Sequence, residues 1–239
     1  MIEVRYDHGV YLPVYDLWLD PWEAKRFAFV SHAHRDHIAP HEEIILSERT
    51  ACLLQARMPG SRTEHVLPFG EQRRVRDIDL LLLPAGHIFG SAQLFLSNQG
   101  ETLLYTGDFK LRHGKSAEAA EWRPADSLIM ETTFGLPRYQ FPPTEHVIAQ
   151  IVAFCREAIE DSAVPVLLGY SLGKAQEILC SLDGAGLTES QVEENLSREL
   201  KKMSPQEFPA IQTKCRETLA NRAAFVRKLG ADIQKALAR

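Results

Sequence analysis

The sequence predicts an α/β sandwich. Short apolar runs bounded by turn residues alternate with stretches whose apolar residues recur every three or four positions. Residues with metal-binding or acid–base chemistry stand at the ends of the apolar runs, where open α/β sheets place their active groups.

The elements follow in chain order. FAFV at 27–30 is a strand that ends in the polar string SHAH. EEIILS at 42–47 is a second strand, and TACLLQARM at 50–58 is a short helix after it. DIDLLLLPAGH at 77–87 is a strand stopped by Pro84, Ala85 and Gly86. SAQLFLS (91–97) and TLLYTGDF (102–109) flank Asn98, Gln99 and Gly100 and predict a hairpin. SLIMETTFG at 127–135 is a further buried strand. After Pro142 and Pro143, Thr144 caps a helix through VIAQIVAFCREAIE. VPVLLGY at 164–170 is a strand, and GKAQEILCSL at 173–182 a helix.

The character changes after Gly184-Ala185-Gly186. Residues 188–203 are polar and helical. Ser204, Pro205, Gln206 and Glu207 have the form of a capping box with proline at the first helical position. Ile211, Cys215, Leu219, Ala223, Val226, Leu229, Ile233 and Leu237 then form an amphipathic stripe. Its expected use is packing against the body or self-association with a second copy. From Thr188 onward there are ten Lys/Arg and seven Asp/Glu, against a formal net charge of −5 for the whole chain. That balance argues against a protein coated in positive charge, but not against a local basic groove.

With 239 residues, 45% of them hydrophobic, the chain is long enough for one large domain or a domain with an appendage. No apolar run reaches membrane-spanning length and no secretion signal is visible at the start, so no membrane contact and a cytoplasmic location are expected. Cys52, Cys155, Cys180 and Cys215 form no C-x-x-C pair and read as buried thiols in a reducing compartment.

The densest chemistry lies in Ser31-His32-Ala33-His34-Arg35-Asp36-His37. In extended chain, residues i and i+2 point the same way, so His32 and His34 can reach one ion. Asp36 and His37 follow a turn and can aim at a second ion nearby. Imidazole nitrogen and carboxylate oxygen are donors that zinc accepts, although manganese or iron would also suit them. His8, His41, His65, His113 and His146 stand in no such pattern and read as surface or packing residues.

H-x-H-x-D-H after an apolar strand resembles the signature of the metallo-β-lactamase fold. Asp20 in LWLDP, His87 in PAGHIFGSA and Asp108 in LLYTGDF resemble that family's other motifs, in the same order. The strings AGHIFGSAQ, YTGDFK, METTFG and GYSLGKAQEIL narrow the resemblance to the β-CASP nucleases, over roughly residues 1–183. The resemblance implies an αββα sandwich and two zinc ions. It implies a first site of His32, His34 and His87, a second of Asp36 and His37, and Asp108 bridging the two. Asp20 would orient the loop, and Glu131 would match an acidic residue near the site. The implied activity is hydrolysis of DNA or RNA phosphodiesters, with Asp36, Asp108, Glu131 and Asp20 in catalytic or supporting roles. The implied organisation is a metallo-β-lactamase domain at 1–140, the start of a cap region at 141–186 and a helical tail at 187–239.

Two features stand against a simple transfer. Gly169-Tyr170-Ser171-Leu172-Gly173 matches the G-x-S-x-G nucleophile elbow, but that fold needs a histidine after the serine and none follows His146. The β-CASP group is also implied to carry two late histidines and a returning segment that completes the sandwich, so the C-terminal half is expected to be incomplete. Three readings stay open: a truncated or frame-shifted product, a natural short form with a weakened second site, and an inactive metal-binding or interaction remnant. A small-molecule hydrolase of thioesters or lactones is the enzyme rival.

Overall fold

The computed structural model describes residues 2–163, 165–167, 169–170 and 172–183. The predicted tail and the stripe from Ile211 to Leu237 lie outside them. The described residues form two β-sheets and three α-helices. The first sheet runs β1 (Arg5–Tyr6), β2 (Val10–Leu12), β3 (Leu17–Leu19), β4 (Phe27–Phe29), β5 (Glu43–Ser47), β6 (Thr63–Leu67), neighbours in space as in sequence. β1 to β3 pair antiparallel, and β3 to β6 pair parallel. The second sheet contains β7 (Gln72–Val75), β8 (Ile78–Pro84), β9 (Ala92–Asn98), β10 (Glu101–Tyr105) and β11 (Ser127–Ile129), in the order β11-β10-β9-β8-β7. All its pairs are antiparallel except β10 with β11. The helices are α1 (Glu48–Arg57), α2 (Thr144–Glu160) and α3 (Lys174–Leu182).

Period-two alternation explains how the sheets stack. Leu80 and Leu82 of β8, Leu94 and Leu96 of β9 and Leu103 of β10 pack in one buried cluster with Leu17, Leu19, Phe27, Phe29 and Ile45 of the other sheet. The alternate residues Leu81, Leu83 and Leu104 point to the outer face, where Phe95 and Ala125 cover them. The run DLLLL therefore serves two faces, which is why it is continuously apolar. On the first sheet Ala28, Val30, Ile44 and Leu46 turn outward against Ala51 and Leu54 of α1. Helix α1 starts on Ser47, whose Oγ accepts the Thr50 N–H at 3.1 Å. Each fully buried leucine in these clusters contributes about 1.5–3 kcal/mol.

Several predicted elements form as read, among them the hairpin of β9 and β10, closed by Gln99 and Gly100 with Asn98 opposite Glu101. Others differ. β11 is not buried: it is an edge strand, and Leu128 is 57% exposed. Thr144 does not cap α2 but begins it, and the Pro143 carbonyl accepts from the His146 and Val147 N–H groups. The strand expected at 164–170 does not form among the described residues there. An apolar run becomes a strand only beside a ladder partner. The cysteines were expected to be buried; Cys155 is, but Cys52 and Cys180 are exposed free thiols, and Cys215 lies outside the described residues. The apolar strand expected before Asp20 is β3, whereas β1, β2, β6 and β7 were not foreseen. They are short, or charged like the Gln72-Arg73-Arg74 stretch of β7 at its sheet edge.

By internal contacts the chain divides into Met1–Ala149 with Leu167–Ala185, and Gln150–Val166 with Gly186–Arg239. All residues of the candidate site belong to the first unit. The described part of the second is chiefly the C-terminal portion of α2. No helix among the described residues is long and apolar enough to cross a membrane.

Candidate metal centre

Each predicted site residue follows the C-terminal end of a strand: Asp20 after β3, His32 to His37 after β4, His87 after β8, Asp108 after β10 and Glu131 after β11. The loops are pinned to one another. Asp20 N–H donates to the Phe29 carbonyl at 3.0 Å, and Ala92 N–H to the Ser31 carbonyl at 2.9 Å, joining the two sheets at this rim. The His87 loop is held by Ser91, whose Oγ accepts the N–H groups of His87 and Ile88 at 3.0 and 3.2 Å. Ser47 and Thr50 anchor its far side through the Gly90 carbonyl. Gly107, at φ +53°, lets the Asp108 loop pass the histidine loop; a Cβ there would lie 2.7 Å from Ser31 Cβ.

His32, His34, His87 and Asp108 each bring one donor atom into a cluster within 4.8 Å. His32 Nε2 lies 2.9 Å from His34 Nδ1, and His34 Nδ1 lies 3.2 Å from His87 Nε2. Asp108 Oδ2 lies 3.6 Å from His87 Nε2 and 3.9 Å from His32 Nε2. Two donors each about 2.0–2.1 Å from one tetrahedral zinc stand about 3.3 Å apart, so this donor set fits a single ion of that size. The protonation states fit as well. Burial pushes His32 well below its ordinary pKa, helped by its neighbouring histidines. Burial likewise takes His87 down to about 4, with Asp108 opposing. Both rings are therefore neutral at pH 7, as a ligand must be.

The other oxygen of Asp108 faces elsewhere. Oδ1 lies 3.6 Å from His37 Nε2, and Asp36 Oδ2 lies 3.8 Å from the same nitrogen. Asp108 thus stands between two groups of donors, one for each of its oxygens. Asp36 and His37 are not part of the four-residue cluster, and the Asp36 side chain is 79% exposed at the mouth. No other group of three or more His, Cys, Asp or Glu donors converges among the described residues.

Asp20 lies behind this arrangement, in a left-handed backbone conformation at φ +45° that aspartate tolerates. It is buried. Its Oδ1 accepts the Ser31 N–H at 2.7 Å, and its Oδ2 accepts the Tyr105 hydroxyl at 2.9 Å. Oδ2 also lies 3.1 Å from His37 Nδ1, close enough for an ion pair but outside hydrogen-bond geometry. Burial alone would lower the His37 pKa, but the Asp108 and Asp20 carboxylates raise it to about 10, so an ion held by this ring would have to displace its proton. Burial would raise Asp108, yet His37, His87 and His34 hold it below the usual carboxylate range. Glu131 does not join the cluster. Its Oε1 accepts the Phe109 N–H at 3.4 Å and its Oε2 the Thr133 N–H at 3.0 Å, so it braces the backbone next to Asp108.

Three contributors were not foreseen. Ser31 places its Oγ 2.9 Å from His32 Nδ1. Tyr105 holds Asp20, and burial with that carboxylate pushes its hydroxyl well above the ordinary range, so it remains a donor. The Leu172 carbonyl lies 3.0 Å from His34 Nε2. Ser31 and Tyr105 adjoin motif residues, which is the signal that could have found them. Leu172 lies within the GYSLGKAQEIL string, but the sequence does not show that its carbonyl meets His34.

No model of a protein family matches the chain. It is 54% identical over 188 residues to a protein of Opitutus terrae named probable DNA ligase, covering 77% of this chain and 18% of that protein. It is 29% identical over 167 residues to the human DNA cross-link repair 1A protein, covering 66% of this chain and 16% of that one. An RNase J-like protein of Methanocaldococcus jannaschii is 32% identical over 116 residues, 47% of this chain and 28% of the relative. The chain thus spans less than a third of the length of each of these relatives. With the histidine turn and the His87 and Asp108 loops in their order along the strand ends, these likenesses fit the β-CASP group of the metallo-β-lactamase fold.

Proposed function

We propose that this chain carries the metal-binding half of a phosphodiesterase that cleaves DNA or RNA, using two divalent ions, zinc by preference. The observation that carries the reading is the split of Asp108: Oδ2 beside His87 and His32, Oδ1 beside His37. A carboxylate so placed suits a pair of neighbouring ions. His32, His34 and His87 with Asp108 Oδ2 would hold the first, and His37, Asp36 and Asp108 Oδ1 would contribute to the second. Bound there, such ions supply Lewis acidity towards a phosphoryl oxygen and bring the pKa of water towards 7.

The chain's own residues have definable work in this reading. Asp20 and Tyr105 hold His37 with its Nε2 turned to Asp108. Ser31 fixes the His32 ring from behind. Glu131 holds the Phe109 N–H and so the direction of the Asp108 side chain. Asp36, with its side chain exposed beside His37, would help Asp108 to orient the attacking water. The names of the relatives include both DNA and RNA enzymes, so both substrates belong to the proposal.

A second reading rests on the smaller donor set around His37. Among the described residues only the four-residue cluster gathers three or more donors on one point. The chain would then bind a single ion and serve as an inactive metal-binding or interaction module. Metal analysis of the purified chain separates the two: two ions per chain support the nuclease reading, one supports the module. Incubation with labelled single-stranded DNA and RNA, with His34→Ala and Asp36→Ala as controls, tests turnover. Cleavage that persists undiminished in both variants would sink the proposed mechanism.

A further inference from the structure

Two residues of the G-x-S-x-G string, Leu172 and Gly173, lie beside the loops of the metal centre. His34 Nε2 donates to the Leu172 carbonyl at 3.0 Å, across 138 positions of sequence. A carbonyl oxygen can only accept. A neutral imidazole has one N–H and one lone pair, so this contact places the proton on Nε2 and the lone pair on Nδ1. Nδ1 is the nitrogen that meets His32 Nε2 at 2.9 Å and His87 Nε2 at 3.2 Å. The rear nitrogens of His32 and His37 face side chains, Ser31 Oγ and Asp20 Oδ2. For His34 the partner is the backbone of this turn.

The turn is built for that approach. Gly173 sits at φ +90° and ψ −71°, and a Cβ there would lie 2.3 Å from Ile88 Cγ2. Ile88 follows His87 directly, so only glycine lets the turn press this close to the loop carrying another donor. Beyond it, α3 is fastened by Glu177. That carboxylate accepts the Ser116 hydroxyl at 2.8 Å and the N–H groups of Lys115 and Ser116 at 3.0 and 3.1 Å.

We propose that the Leu172 carbonyl, set by Gly173 and secured by Glu177, is a positioning element of the metal centre that locks His34 in its Nδ1-ligating tautomer. The proposal rests on the reading that His32, His34 and His87 hold a metal ion. Partners that orient ligating histidines typically change metal affinity by about 10–100-fold when lost.

The test uses the full chain and zinc, by competition with a chromophoric chelator. Gly173→Ala is expected to weaken binding at least tenfold, and Glu177→Gln, which adds no atoms, by a smaller factor. Gly60→Ala serves as the control: no atom lies within 4 Å of its Cβ and it is remote from this turn in sequence, so wild-type affinity is expected. The cobalt-loaded wild type should show a slowly exchanging, paramagnetically shifted N–H proton of His34, lost or fast-exchanging in Gly173→Ala and Glu177→Gln. Wild-type affinity and a protected proton in both variants would overturn the proposal while leaving the metal centre standing. If the wild type takes up no metal, the reading of the centre falls and this proposal with it.

Discussion

His37 Nδ1 lies 3.1 Å from Asp20 Oδ2, the same oxygen that accepts the Tyr105 hydroxyl at 2.9 Å. Asp20 thus sets the orientation of a ring whose other nitrogen faces Asp108. Replacing it by asparagine keeps the size but removes the charge. Asp20→Asn is expected to lower the affinity for the second ion about 10–100-fold. Isothermal titration with zinc would check this, and an unchanged second binding step would refute the role given to Asp20.

Tyr105→Phe removes one hydrogen bond to a buried carboxylate and leaves the packing of the ring against Phe29 in place. The expected loss of stability is about 1.5–3 kcal/mol. Urea unfolding of the metal-free chain measures it. A loss below about 0.5 kcal/mol would mean that Asp20 finds another partner.

His41 is 3% exposed, and its Nδ1 accepts the Lys25 N–H at 3.1 Å. Burial lowers its pKa from 6.5 to about 4; Asp20 opposes, while Arg62 and Lys25 add to the lowering. The folded pKa lies below the unfolded one, so the unfolded chain takes up the proton first as pH falls. The contribution is complete above about pH 6.5 and is lost by about pH 4, amounting to about 3 kcal/mol. His41→Gln should flatten the stability–pH curve in that window. An unchanged slope would show that other groups govern it.

Leu82 is fully buried where the two sheets meet. Leu82→Ala should cost about 2–5 kcal/mol through lost burial and the cavity left behind. Chemical denaturation would record this as a lower midpoint at an unchanged slope. A cost under about 1 kcal/mol would mean that the site collapses around the smaller residue.

Metal removal should act on the fold itself. An ion bound by the native donor cluster and not by the unfolded chain stabilises by about 2.7 kcal/mol at a hundredfold excess over its dissociation constant. Chelator treatment should therefore lower the melting temperature, and zinc should restore it. In His87→Ala, which loses a donor of the four-residue cluster, that shift should shrink. An equal shift in variant and wild type would place the ion elsewhere.

Much of the sandwich was legible because its signals are local. The alternation in DLLLL and QLFL and the turn residues Asn98, Gln99 and Gly100 each depend on a few consecutive residues, whereas the Ser47 cap of α1 was not anticipated. β7 escaped notice because a strand at a sheet edge can be mostly charged, and β11 was misjudged as buried because its neighbours in space were unknown. The run at 164–170 has strand composition, but composition supplies no ladder partner.

The candidate donors were likewise legible in the sequence alone: His32, His34, Asp36 and His37 crowd into one turn after an apolar strand. The tertiary structure decided which atoms do what. It turned His34 Nδ1 inward, gave each oxygen of Asp108 a different neighbour and left Asp36 exposed. It brought Tyr105 to Asp20 and the Leu172 carbonyl to His34, across 85 and 138 positions. Spacing along a strand limits where a side chain can point, but the partner of a ring nitrogen is set by whichever loop packs against it.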